Sequence, residues 1–216
     1  MYIDIPAFVD GRQFTISCKF EILADGHLRP LPPSWTKQFH STISIENQDG
    51  ENVLHVIKGY PADLAFDAVS VDGIYVISGR LIFLNNSCTP RLFYEPDYQL
   101  ISRVSDDSSS VFTNQVSVQS VGLVKSVSTS SAQFQGAVCL VVTHDNYDYV
   151  SERLVSFDVK YVCSASSSII IPDHWNLIGH EIFIIGFIIG KNEVDYMWQV
   201  EYMEKVTYSD FKCCLW

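Results

Sequence analysis

Residues 181–189 read Glu-Ile-Phe-Ile-Ile-Gly-Phe-Ile-Ile, and residues 73–82 read Gly-Ile-Tyr-Val-Ile-Ser-Gly-Arg-Leu-Ile. Each stretch is an apolar, β-branched and aromatic run with a glycine near its middle, a composition typical of β-strands. After a polar turn, each is followed by a second aromatic-rich stretch, at residues 91–94 and 197–202 respectively. The recurrence predicts that one small β-fold is used twice in this chain.

The composition favours a folded protein built from strands. Of the 216 residues, 47% are hydrophobic and 18% are charged, which supplies ample core material and excludes a disordered chain. Residues 1–6 lack the basic and long apolar segments of a signal peptide. The apolar run at 182–189 is far shorter than the roughly 20 residues of a membrane-spanning helix. We therefore expect an intracellular protein, nuclear or cytoplasmic, with no membrane contact.

The charge is strongly acidic, with a formal net charge of −11. Proteins that bind nucleic acid usually present a basic surface, so this chain can do so only through a local patch. Residues 1–104 hold 8 Lys and Arg against 12 Asp and Glu, a net −4, whereas residues 105–216 hold 6 against 13, a net −7. The first half is therefore the better place for an anion-binding face. The alternative is that acidity serves only solubility.

The order of predicted elements repeats along the chain. Each half offers a strand, a hairpin partner, an irregular or helical connector, a glycine-centred strand and a final strand, with a turn predicted at residues 145–148 of the second half. This order is typical of a five-stranded Greek-key barrel with a helix before its fourth strand. The polar, unpatterned run at residues 105–110 indicates a linker. We predict an all-β protein with barrels at residues 1–104 and 117–216, short helices or loops between strands, and a linker at 105–116.

Three mid-strand glycines support the barrel interpretation. Strands of a small barrel bend sharply to close, and a glycine is the usual residue at the bend. Gly79, Gly122 and Gly186 fit that role. The alternative is that they are ordinary bulge glycines of a β-sandwich.

A family resemblance rests on these same stretches. Residues 120–127, 155–161 and 181–188 of the second half resemble the oligonucleotide/oligosaccharide-binding (OB) fold of single-strand DNA-binding proteins, and residues 71–83 look similar in the first half. The whole chain is also similar to poorly characterised tandem-barrel proteins of fungi. The resemblance implies the fold and, less directly, a single-stranded nucleic acid as ligand.

Motifs of enzymes, metals and cofactors are absent from the sequence. It has no nucleophile elbow, no phosphate-binding glycine loop with a following Lys, and no zinc-protease helix. The six cysteines form no C-x-x-C pair, so we expect reduced thiols and no zinc site. We predict a non-catalytic protein with no cofactor.

A small cationic and aromatic patch is predicted on the first barrel. Binding of single strands needs aromatic rings for the bases and Lys or Arg for the phosphates, on the outward face of the second and third strands. We place this face on residues 74–84, taken as the third strand, where one side alternates into the core and the other faces outward. The candidate site residues are Lys58, Ser78, Arg80, Arg91 and Phe93. The alternative is that Phe93 belongs to the core and the cations are merely solvated.

The stretch at residues 182–189 is apolar on both of its alternating faces. A barrel strand has only one core face, so something must cover the other. The cover could be the other barrel, the connector at residues 164–180 or a partner chain. Of these we favour a protein partner or a second copy of the chain, on the face that carries Ile182, Ile184 and Ile188.

Two functions from different classes follow from these observations. The preferred one is a non-catalytic binding module for single-stranded nucleic acid that acts mainly through the first barrel. The alternative is a protein-interaction or assembly module that keeps the fold but binds no nucleic acid.

Overall fold

The computed structural model describes residues 12–25, 38–46, 51–61, 69–71, 73–94, 99–103, 116–129, 137–163 and 177–207. Nearly all of these residues lie in strands, and among them no helix is long and apolar enough to cross a membrane. The strands, in chain order, are β1 Phe14–Glu21, β2 Ala24–Asp25, β3 Phe39–Glu46, β4 Asn52–Pro61, β5 Gly73–Ile82, β6 Arg91–Tyr94, β7 Gln99–Arg103, β8 Ser117–Thr129, β9 Val138–Asp148, β10 Arg153–Cys163, β11 Glu181–Lys191 and β12 Trp198–Thr207.

The second half of the chain is a closed five-stranded barrel. Its strands follow the order β8–β9–β10–β12–β11, and β11 pairs back onto β8 to close the ring. The β10–β12 pairing is parallel and the other four are antiparallel. The predicted fold class, all-β with five-stranded Greek-key barrels, is confirmed.

The first half repeats the same strand order. Its ladders run β1–β5–β6–β4–β3, with β4–β6 parallel and the rest antiparallel. The ring closes through β2, which follows β1 and pairs with β3. The stretch at residues 74–84, which the sequence pattern suggests as a third strand, therefore lies in β5, the fourth strand of this unit, up to Ile82. The connectors expected to hold a helix, before β5 and before β11, lie largely outside the described residues.

Alternation of side chains along the strands builds the core. Phe14, Ile16, Cys18 and Phe20 of β1 all point inward and are at most 6% exposed. Val155, Phe157, Val159 and Tyr161 of β10 also point inward in the second unit, as their spacing predicts, and are at most 8% exposed. The inward residues of both units belong to one continuous hydrophobic cluster, so no polar layer separates the barrels.

The first strands of the two units pair with each other. Phe14–Ser17 of β1 run antiparallel to Ser117–Ser120 of β8, which makes one continuous sheet of both barrels. Ile16 faces Val118 in this ladder. Gly79 on β5 faces Ile16, and Gly186 on β11 faces Val118. The two units are therefore related by a pseudo-twofold axis that passes between Ile16 and Val118.

Aromatic rings fill the junction between the barrels. Phe83, which follows β5, stacks on Trp198 of β12 with ring centroids 4.6 Å apart. His55 of β4 contacts the same indole from another side, at 5.0 Å. The buried amide of Asn146 on β9 donates to the carbonyls of Phe14 and Leu81 at 3.2 and 3.0 Å. These contacts tie the two units together through their cores.

Two sequence predictions are wrong in this part of the molecule. The predicted turn at residues 145–148 is not one, because β9 continues to Asp148 and the turn spans residues 149–152. Strand pairing with β10 and the Asn146 contacts satisfy the polar groups that suggest a turn. On β11, Ile182, Ile184 and Ile188 are at most 6% exposed because they point into the barrel core, so they cannot form the predicted partner surface. The outward residues are Phe183, Ile185, Phe187 and Ile189, which are half-buried.

The predicted linker lies mostly outside the described residues. Its last residue, Val116, is described and is fully buried, and its carbonyl accepts a hydrogen bond from the amide of Ile188 at 3.0 Å. The second unit therefore begins by residue 116.

Candidate nucleic-acid interface

Four of the five predicted site residues lie on β5 and β6. Arg80 and Phe93 are directly opposite in the antiparallel β5–β6 ladder, so they share a face of the sheet. Ser78 precedes Arg80 on the same outward face of β5, and its hydroxyl donates to Ser17 Oγ of β1 at 2.9 Å. Arg91 begins β6. The outward alternation of Ser78 and Arg80 is as the sequence predicts.

The second barrel covers this patch with the turn that joins β9 to β10. Arg80 Nη2 donates to the hydroxyl of Tyr149 at 2.7 Å, and its guanidinium carbon lies 5.1 Å from the centroid of that ring. The same ring meets Phe93 edge-on at 5.3 Å. Phe93 also stacks on Tyr60 of β4 at 5.5 Å and is 0% exposed. In this structure the patch is therefore an interface between the barrels.

Arg91 is held by the same turn. Its guanidinium forms an ion pair with the carboxylate of Asp148, whose side chain is 1% exposed. Asp148 also accepts hydrogen bonds from the amide of Val150 at 3.0 Å and from Ser151 Oγ at 2.6 Å. The carboxylate thus both caps its own turn and neutralises Arg91.

Lys58, the fifth predicted residue, lies beside the patch, because it is the register partner of Arg91 in the parallel β4–β6 ladder and so shares its face of the sheet. It is on β4, the third strand of the first unit, and faces His40 across the β3–β4 ladder. The pairs Thr42–Val56 and Ser44–Leu54 continue the same face. We call this set the β3–β4 face: His40, Thr42, Ser44, Leu54, Val56 and Lys58. Leu54 and Val56 are 59% and 51% exposed, which is unusual for apolar residues in the middle of a strand.

The β3–β4 face carries no carboxylate among its described side chains. Burial, and to a smaller extent the charge of Lys58, lower the pKa of His40, so its imidazole is neutral at pH 7. His40 Nε2 and Ser44 Oγ are buried there without a hydrogen-bond partner. Unsatisfied groups of this kind cost about 1–3 kcal/mol each, which a polar ligand at this face would offset.

The equivalent face of the second unit carries two carboxylates, each paired with a cation: Asp158 with Lys125 and Asp145 with Arg12. Lys160 of β10 corresponds to Lys58, because each lies on its unit's third strand beside the start of the fifth. Beyond Lys160, the ladder pairs Asp158 with Thr143 and Ser156 with Asp145. Asp158 binds Lys125 at 2.7 Å and Thr143 Oγ1 at 2.6 Å. Two carboxylates therefore stand where the first unit has Val56 and Ser44.

A chain of hydrogen bonds inside the second barrel has catalytic residue types but no opening to solvent. Ser120 Oγ lies 2.7 Å from the Tyr161 hydroxyl, which lies 2.9 Å from His144 Nε2. His144 Nδ1 lies 2.8 Å from the carbonyl of Val121. Because that carbonyl can only accept, Nδ1 carries the proton and Tyr161 donates to Nε2. Burial lowers the pKa of His144 to about 4, so the ring is a neutral structural group.

Side-chain clusters of the kind that hold metal ions are lacking in the described part of the chain. Across those ranges, no three His, Cys, Asp or Glu side chains lie together as a metal site would require.

The fold has counterparts among solved structures. The wild-type single-stranded DNA binding protein from Thermus aquaticus is similar over 91% of this chain and 93% of its own, with a TM-score of 0.50 and 11% sequence identity. A deletion mutant of the same protein gives a TM-score of 0.49 at 11% identity, over 91% and 95% of the two chains. No family model matches the sequence, and no curated protein matches it either. The likeness is therefore one of fold alone.

Proposed function

We propose that this protein binds single-stranded nucleic acid without catalysing a reaction, and that the β3–β4 face of the first barrel is the contact surface. The observation that carries the proposal is the difference in carboxylate content between the two equivalent faces. In a chain of net charge −11, the β3–β4 face combines Lys58 with described side chains that bear no negative charge, whereas the equivalent face of the second unit holds Asp145 and Asp158.

The side chains of the β3–β4 face are of the kinds that bind a single-stranded nucleic acid. Lys58 supplies a cation for a phosphate, and the exposed side chains of Leu54 and Val56 offer apolar surface against which a base can pack. His40 and Ser44 add polar atoms in need of partners. The fold supports the proposal, because the similar wild-type structure is a single-stranded DNA binding protein.

A titration of labelled single-stranded DNA tests the proposal. We would follow fluorescence anisotropy with an oligo(dT) of about 20 nucleotides, longer than the ~4–16 that one such barrel covers. Lys58→Ala should weaken binding and lower the slope of log K against log salt by roughly 0.7, the value for one phosphate contact. Lys160→Ala is the matched control and should change neither quantity. Absence of measurable wild-type binding at about 50 mM salt would overturn the proposal.

The second candidate is an assembly module, favoured by the free edge of β4. β4 pairs with β3 over residues 52–59 and with β6 only from Lys58 onward, so residues 52–57 have no described strand on their other side. This edge is uncharged and exposes Val53, Leu54 and Val56. Such an edge invites strand addition from a second copy of the chain. Concentration-dependent dimerisation in sedimentation velocity, abolished by Val56→Lys, would favour this candidate, and a strict monomer would exclude it.

A further inference from the structure

We infer that the first barrel carries a second nucleotide site, formed by Arg80, Arg91 and Phe93, which Asp148 and Tyr149 of the second barrel occupy in the free protein. The inference rests on the proposed function. It adds a second site, which a nucleic acid can enter only by displacing the side chains of Asp148 and Tyr149. Its ligand is one nucleotide unit of a single strand, with a phosphate on the arginines and a base on the ring of Phe93.

The contacts of the β9–β10 turn are those a nucleotide would make. The carboxylate of Asp148 binds the guanidinium of Arg91, which is the contact that a phosphate oxygen forms with arginine. The ring of Tyr149 lies against Phe93 and beside the guanidinium of Arg80, where a base would lie. An anion and an aromatic ring, adjacent in sequence, thus occupy a cationic and aromatic surface.

The charges under the turn are not balanced. Among the described residues, two guanidinium groups face one carboxylate, since the described partner of Arg80 is the neutral hydroxyl of Tyr149. A phosphate on this surface could contact both arginines, whereas Asp148 contacts one. The site therefore favours a polyanion over the side chain that fills it.

The turn has the features of an element that can move as a unit. Asp148 caps it through the amide of Val150 and the hydroxyl of Ser151, and these bonds do not need Arg91. Glu152, at its far end, has a φ of +51°, a conformation uncommon for a residue with a side chain. Because the closed turn must be displaced before a nucleotide enters, it lowers the apparent affinity of the site.

Variants of the turn test this inference in the same anisotropy titration with oligo(dT). Asp148→Asn keeps the capping acceptor but removes the negative charge that neutralises Arg91, and Tyr149→Ala removes the ring. Each should tighten binding by about tenfold, the effect of one charge-assisted contact. Adding Arg91→Ala to Asp148→Asn should abolish the gain. Glu152→Gln is the matched control, because it removes one exposed charge from the same turn without touching the arginines.

The outcomes separate this inference from the proposed function. If wild type binds and neither variant binds more tightly than Glu152→Gln, the site formed by Arg80, Arg91 and Phe93 (the closed site) is refuted. The β3–β4 face then remains the proposed contact surface. If wild type does not bind but the variants do, the closed site is supported and the β3–β4 face fails as a sufficient site. If nothing binds, both fail. Should Asp148→Asn and Tyr149→Ala unfold, Tyr149→Phe decides, because it removes only the hydroxyl on Arg80 and should still give a measurable gain.

Discussion

Gly79 and Gly186 occupy the same position in the two barrels. Each lies in the fourth strand of its unit, and each faces the residue of the first strand that lies beside the pseudo-twofold axis. A Cβ atom at Gly79 would overlap the carbonyl oxygen of Phe93, and one at Gly186 would overlap that of Glu201. In both units the fifth strand approaches so closely that only glycine fits, which is the physical basis of the repeat visible in the sequence.

Substitution of either glycine should therefore destabilise the protein. We expect Gly79→Ala and Gly186→Ala each to lower the free energy of unfolding by about 1–3 kcal/mol, and Gly186→Val by at least as much, because the obstacle is backbone and cannot rotate away. Urea denaturation followed by circular dichroism measures the effect. Gly190→Ala is the control, since its Cβ would meet only Gln199 Oε1 at 3.5 Å. Equal stability of all the variants would show that the close approach costs nothing.

Periodicity predicts the strands and most of their faces, because one side chain in two enters a core. It fails at β11, where both faces are apolar and the sequence does not say which one is inside. The structure puts Ile182, Ile184 and Ile188 inside. The contacts of Asp148 and Tyr149 with Arg91 and Arg80 join residues 57 and 69 positions apart, and no local pattern encodes them. The sequence prediction includes only Lys58 of the β3–β4 face. Alternation along residues 53–56 would also have placed Leu54 and Val56 on the same face as Lys58.

The buried imidazole of His144 should make stability depend on pH. Its pKa is lowered to about 4 in the fold, whereas an unfolded chain has the ordinary value of 6.5. Between these values the unfolded chain binds a proton that the folded protein does not. The free energy of unfolding therefore does not depend on this group above pH 6.5. As the pH falls from 6.5 toward 4, it decreases by about 1.4 kcal/mol per pH unit. Urea denaturation at several pH values measures this slope.

His144→Gln provides the comparison for that slope. The variant loses the titrating group, so its unfolding free energy should be lower at neutral pH but change less between pH 6.5 and pH 4. The two curves should converge toward the acid end. Parallel curves for the wild type and the variant would assign the acid dependence to carboxylates instead.

The two barrels should unfold together, although they can be drawn as separate domains. β1 pairs with β8, Phe83 stacks on Trp198, and Asn146 binds the backbone of Phe14 and Leu81. We expect one calorimetric transition for the whole chain. Residues 1–104 and 117–216, expressed separately, should each fail to give a dispersed amide spectrum, because each would expose half of a shared core. Two transitions, or a folded isolated half, would mean that the predicted boundary marks independent domains.

Binding at the β3–β4 face should strengthen as pH falls, through His40. Burial and the charge of Lys58 lower the pKa of His40 in the free protein. A phosphate bound at Lys58 offsets that charge, so the pKa of His40 is higher in the complex than in the free protein. Binding then takes up a proton, and affinity should rise as pH falls through the pKa of His40 in the complex, by up to tenfold for each unit by which the two pKa values differ. Anisotropy titrations at pH 8, 6.5 and 5.5 measure the trend, with circular dichroism to establish that the protein stays folded. His40→Gln should flatten the profile, whatever affinity the lost imidazole contact costs at pH 8. An equally steep profile in that variant would show that ligand binding does not change the pKa of His40. It would then argue against a phosphate contact at Lys58.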